Sequence, residues 1–145
     1  MKTLFGGWQA WAVLSAGFAA LTAIFGKIGV AGIHSDFATL IRTVVILAIS
    51  FAIVMVSRTW QPLASVSGRT YLFLLLSGAA TGASWLCYYR ALQLGPAARV
   101  APVDKFSVVL VALFGVAFLG ESLGIKSWLG VGLIAVGAVL VATGG

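Results

Sequence analysis

Four charged side chains, Arg42, Arg90, Asp104 and Lys105, fall inside stretches that are otherwise apolar. An Arg, Lys or Asp at mid-bilayer costs about 2.5–3.5 kcal/mol on insertion scales, so such a residue usually faces a partner, water or a solute. Together the four carry two surplus positive charges. A closed structural network would more naturally be neutral, and a surplus of this sign attracts an anion: a carboxylate or a lipid phosphate. The plainer alternatives are that Arg42, Arg90 and Lys105 snorkel to headgroups and that Asp104 neutralises one basic neighbour. Trp85, Tyr88 and Tyr89 lie close in sequence to Arg90 and offer aromatic walls. Ser77, Thr81, Ser84 and Tyr88 follow at spacings of four, three and four, which puts them on one helical face. That face can line a polar cavity, or its hydroxyls can bond back to their own helix carbonyls.

Other chemistry has little to work with. Cys87 is the only cysteine and His34 the only histidine, which leaves no internal disulfide, no CxxC metal site and no Ser-His-Asp set. Cys87 is expected to be a small buried residue and His34 a loop residue. No metal site, no cofactor and no enzymatic activity are expected. The net charge of +6 is scattered along the chain without a basic stripe, so it reads as anchoring at lipid headgroups and not as nucleic-acid binding.

The elements that must position these residues are membrane spans. Apolar residues make up 61% of the 145-residue chain and charged residues 8%. Soluble domains run nearer about 45–50% and 25%, and so few charges could not cover a water-facing surface. A hydrocarbon core of ~30 Å takes about 20 helical residues. Five stretches approach this: 8–25, 37–56, 71–94, 96–119 and 127–143. The fold class is therefore all-α, a single transmembrane domain of five helices over 1–145. The first stretch is long enough to span and ends at Lys27, so it reads as a retained helix and not a cleaved signal peptide. Successive spans run in opposite directions. The start of the second, the end of the third and the start of the fourth then face one side, and Arg42, Arg90, Asp104 and Lys105 share one half of the bilayer.

Connectors carry turn chemistry. Ser35 or Asp36 is placed to cap the second helix and Ser127 the fifth. Gly95-Pro96 ends the third and begins the fourth. Pro102 leaves a carbonyl without its donor and marks a kink, or else sits in a first turn. Lys27 fits a boundary anchor, and Glu121 a structural role in the last link. Small residues recur at packing distance: Ala12, Ala16 and Ala20 on the first helix, Gly78 and Gly82 on the third, Gly130, Gly132 and Gly137 on the fifth. They suit packing within the chain or, on the fifth helix, against a second copy.

Basic residues do not fix an orientation. The amino-terminal side would hold Lys2, Arg58, Arg69 and Lys126, and the other side Lys27 and Arg99 together with the embedded Arg42, Arg90 and Lys105. Four against five is nearly balanced, which permits insertion both ways and an inverted pair of copies.

The stretch WLCYYRALQLGPAARVAPVDKFSVVLVALFGVAFLGESL, residues 85–123, resembles the EamA-type family of the drug/metabolite transporter superfamily, as does FAALTAIFGKIG, residues 18–29. The YYRAL end of one helix, the APVDK opening of the next and the following LGE carry the likeness, which extends over nearly the whole chain. It resembles the half-sized, five-span members, whose larger relatives carry two inverted halves. The resemblance implies a multi-pass protein in the cytoplasmic membrane of a bacterium or archaeon. It also implies a half-unit that works as a homodimer, with an antiparallel pair as the favoured form, and a small organic solute as substrate. The small multidrug pumps, more distant relatives, use an acidic residue in the first helix. Here only Gln9, Ser15 and Thr22 are polar there, which argues against proton-coupled export of cationic drugs.

Three functional classes follow. The first is a secondary transporter of small organic solutes, with anionic ones in view, whose substrate meets Arg42, Trp85, Tyr88, Tyr89, Arg90, Asp104 and Lys105 in a cavity also lined by Ser77, Thr81 and Ser84. The second is a flippase, or flippase subunit, for an anionic lipid carrier. The third is a non-transporting membrane scaffold.

Overall fold

The computed structural model describes residues 7–144, so the anchoring expected of Lys2 lies outside the described residues. All regular structure among them is helical: α1 Trp8–Gly29, α2 Ser35–Val56, α3 Gly68–Leu94, α4 Ala97–Asp104, α5 Phe106–Leu119 and α6 Ile125–Thr143, with a short 3-10 turn at Leu63–Ser65. Among the described residues five spans are long and apolar enough to cross a membrane, with Ala97–Leu119 counted as one. Each is bounded by residues that cannot continue a helix or that suit a water interface. His34 takes an extended backbone before α2, Pro96 precedes α4, and Gly120, at φ 68, closes α5 in the left-handed conformation.

The helices run past several expected boundaries. α1 continues to Gly29 and α3 begins at Gly68, and the charged ends that these extra turns carry find partners in the chain: Lys27 at the Leu92 carbonyl and Arg69 over the Phe73 ring. The fourth span is broken. Pro102 cannot supply an N–H to the ladder, and the chain re-forms as α5 after Lys105, whose ψ of −6° departs from α-helical values. Two expected caps are replaced. The α2 terminus is capped by the His34 side chain, whose Nδ1 accepts from the Asp36 N–H at 3.3 Å, because Ser35 is already inside the helix and buried. For α6 the capping position is Gly124, and Ser127 lies within the first turn.

Side chains along the spans face outward, as a lipid solvent allows: Leu72, Leu75 and Leu133 are 55%, 70% and 73% exposed. Cys87 is among the exposed residues, contrary to the expectation that it would be buried.

Backbone contacts divide the chain into two compact units. One is Gly26–Gln93; the other joins Met1–Phe25 to Leu94–Gly145. In the second unit, α4, α5 and α6 approach one another closely, with Gly115 and Ala138 buried. The Glu121 N–H donates to the Gly115 carbonyl at 3.1 Å, and its carboxylate folds back over the Cα of Gly115, where a side chain would collide with it. In Gly26–Gln93 burial is confined to one end. Gly26, Val30, Ser35, Ala38, Thr39, Tyr89 and Leu92 are enclosed where the end of α1, the start of α2 and the end of α3 meet. Away from that end, residues 68–81 of α3 are all exposed.

Candidate functional site

The closed end of Gly26–Gln93 is tied by side chains. Lys27 Nζ donates to the Leu92 carbonyl at 2.6 Å, satisfying one of the acceptors that every helix end leaves open. Gln93 Nε2 donates to the Ile33 carbonyl at 2.9 Å and accepts through Oε1 from Arg90 Nη1 at 2.8 Å. On α2, Thr39 and Thr43 bond back to the carbonyls of Ser35 and Thr39 at 2.9 and 2.8 Å. The Ser35 hydroxyl donates to Asp36 at 3.3 Å, and His34 stands 3.5 Å from the other Asp36 oxygen.

Arg42 lies just inside this closed end, seven residues or about 10 Å along α2 from Ser35. Its guanidinium carbon sits 3.9 Å from the Trp85 ring centroid, a stacking distance, and 5.3 Å from that of Tyr89. Trp85, Tyr89 and Leu92 recur at spacings of four and three, so one face of α3 presents both rings to Arg42 and seats Leu92 in the closed end. The Nη1 atom of Arg42 is wholly enclosed and has no hydrogen-bond partner. A desolvated cation–π contact contributes about 2 kcal/mol, whereas a buried unsatisfied donor costs about 1–3 kcal/mol and more when charged. The rings alone therefore leave the charge undercompensated.

Of the residues the sequence nominates, the structure brings together Arg42, Trp85 and Tyr89, with the Tyr88 ring 6.4 Å from that of Tyr89 in an edge contact. Arg90 is exposed and engages Gln93. Asp104 and Lys105 belong to the other unit and pair with each other at 3.3 Å. Thr81 bonds back to the Ser77 carbonyl at 2.8 Å, and Ser77, Thr81 and Ser84 are exposed on α3. Gly78 and Gly82, expected to admit a neighbouring helix, have no atom within 4 Å of where a side chain would begin. The sequence reading missed Gln93, whose spacing of three from Arg90 was the available signal, and the Ser35, Thr39, Thr43 stripe at spacings of four.

The EamA-like transporter family model matches residues 6–143, and the chain belongs to that family. An uncharacterized transporter in the cobO 3′ region of Sinorhizobium sp. is 66% identical over 135 residues, covering 93% of this chain and 96% of that protein. Two proteins named as probable 4-amino-4-deoxy-L-arabinose-phosphoundecaprenol flippase subunit ArnE are more distant. The one from Proteus mirabilis is 29% identical over 57% of this chain and 74% of its own length. The one from Aeromonas hydrophila is 35% identical over 57% and 67%. No solved structure matches the chain. With its five apolar spans, it is a multi-pass protein of a bacterial membrane.

Proposed function

We propose that this chain is a half-unit of a secondary transporter for small organic solutes, working as an antiparallel homodimer in the cytoplasmic membrane. The observation that carries the reading is a five-span chain, matched by a transporter family over 6–143, with an undercompensated guanidinium held inside its second span. Arg42 attracts the solute, and Trp85, Tyr88 and Tyr89 provide its aromatic walls. Arg90 is assigned to the same task on the strength of the sequence, and Ser77, Thr81 and Ser84 to the lining. The protein moves its substrate without chemical change and needs no cofactor. Nearly balanced basic residues support dual insertion, and pairing with a second, inverted copy would give alternating access.

Topology tests the assembly: a cysteine placed at either end of the chain, on a Cys87→Ser background, is labelled in intact cells from each side. Comparable labelling of each terminus from both faces is the expected result. Labelling from one face only would eliminate the antiparallel homodimer.

A second reading is favoured by the likeness to the ArnE subunits: a flippase subunit for an anionic lipid carrier, with Arg42 taking the phosphate. Reconstitution separates the two, since a flippase moves a headgroup between leaflets and leaves the water-soluble solute content of the vesicle unchanged.

A further inference from the structure

Arg42 has no carboxylate of its own. The chain contains three acidic residues, Asp36, Asp104 and Glu121. Asp36 lies six residues before Arg42 on α2, off its face, and is occupied by Ser35 and His34. Asp104 is occupied by Lys105, and Glu121 folds over Gly115. The Arg42 guanidinium is instead pressed against Trp85 at 3.9 Å, with Nη1 left unbonded. A stacked guanidinium has a face covered and its in-plane N–H groups left to donate, and that fork matches two oxygens of one carboxylate or phosphate.

The same face of α3 also leaves room. Gly82, Thr81, Gly78 and Ser77 precede Trp85 at three, four, seven and eight residues, and nothing lies within 4 Å of a side chain that would begin at Gly78 or Gly82. These residues lead from Trp85 away from the closed end, where Tyr89 and Leu92 are buried.

We infer that Arg42 is the anchor for an oxyanion. A carboxylate or phosphate is taken edge-on by its guanidinium while Trp85 holds the face, and the rest of the ligand lies along the Ser77–Gly82 face of α3. The inference deepens the transporter reading by naming the chemical class of the group bound, and rests on that reading for the site's purpose. Because Nη1 is enclosed while Arg42 as a whole is only half-buried, anion uptake requires the side chain to turn toward its accessible edge. That turn changes the environment of the Trp85 indole.

The test uses the full chain purified in maltoside detergent, with Trp8, Trp11, Trp60 and Trp128 replaced by Phe so that emission reports on Trp85. Succinate, inorganic phosphate and a short-chain phosphatidic acid are titrated, with glucose and tetramethylammonium as controls. Calorimetric titration of the chain with all its tryptophans provides an independent reading. At least one oxyanion should give a saturable response that the controls do not. Arg42→Gln should weaken it at least tenfold, Arg42→Lys should weaken it less, and Gly82→Leu should weaken succinate binding while sparing inorganic phosphate. A response to succinate or phosphate makes the ligand a soluble solute, and a response to phosphatidic acid alone makes it a lipid headgroup. No saturable response by either method, or a response unchanged in Arg42→Gln, overturns the inference. If Arg42→Gln does not remain monodisperse, Arg42→Lys and Gly82→Leu decide, and full-strength binding in both overturns it. Binding is read without flux. A protein that binds but moves nothing in proteoliposomes keeps this inference and loses the transporter reading. One that moves solute without a Trp85 or calorimetric response loses the inference alone.

Discussion

In α4, α5 and α6 the backbones themselves come close, and the buried positions are small: Gly115 and Ala138. In Gly26–Gln93 the join between helices is made by long side chains at one end: Lys27 to the Leu92 carbonyl, Gln93 to the Ile33 carbonyl, Arg42 against Trp85. Both arrangements hold helices together in a solvent that gives no hydrophobic drive. They differ in what they leave between the helices. Close packing fills the space at Gly115, where a side chain would meet Glu121, although Gly130, Gly132 and Gly137 of α6 stand open, whereas side chains that bridge at one end leave the rest of α3 open, including Gly78 and Gly82. A site needs space and a polar group, and the second arrangement supplies both at Arg42 and the Ser77–Gly82 face.

The comparison can be broken first at Arg42. Arg42→Gln is expected to lower solute flux in proteoliposomes at least tenfold while leaving thermal stability in detergent level or higher. The lost cation–π contact, about 2 kcal/mol, is offset by relief of an enclosed charged donor. A large loss of stability together with flux would make Arg42 a structural residue. Leu92 comes next. It is 0% exposed, and Leu92→Ala should cost about 2–5 kcal/mol in a denaturation titration, whereas Leu75→Ala at a 70% exposed position should cost far less. Equal losses would show that the closed end is not a packed core.

Gly26 sharpens the same point. A side chain there would start 3.2 Å from the Tyr89 hydroxyl and 3.3 Å from Leu92, so Gly26→Val should cost about 1–3 kcal/mol by overpacking. Gly78→Ala, which meets nothing, should be neutral or gain up to about 1 kcal/mol of helix propensity. Gln93→Ala should cost about 1 kcal/mol and leave the Ile33 carbonyl without its side-chain donor, visible as faster hydrogen exchange in the α1–α2 turn. A similarly small effect is expected just past the opposite end of α2. Arg58 holds φ at 52°, which a side chain resists, and Arg58→Gly should raise stability by about 1 kcal/mol.

Much of this was legible in the residues. Arg42 could be placed inside a span from its apolar neighbours, whereas the face read from spacing was that of Ser77, Thr81, Ser84 and Tyr88, and the rings that meet Arg42 are those of Trp85 and Tyr89 beside it. The capping of α2 was not. Ser35, Asp36 and His34 all carry acceptors within three residues, and which becomes the cap depends on where the turn leaves extended geometry, a choice made at His34. Arg90 reads as one more embedded charge until Gln93 is seen to take its Nη1 and pass the tie on to Ile33, sixty residues away in sequence. The glycines of α3 carry the spacing of a packing motif, but spacing says only that a neighbour can come close. It does not say whether one does.

Composition and the lengths of the apolar stretches by themselves determined that this chain belongs in lipid, with five helices among the described residues long and apolar enough to cross it, because 8% charged residues cannot solvate a fold in water and a helix of about 20 residues is the length a bilayer demands. What the tertiary structure alone decided is which charge is left unanswered. Arg90, Lys105 and Arg42 are equivalent as letters in an apolar run. Two of them reach a partner within their own or the next turn. Among the described residues Arg42 meets the faces of Trp85 and Tyr89, which attract its charge but leave its Nη1 without an acceptor.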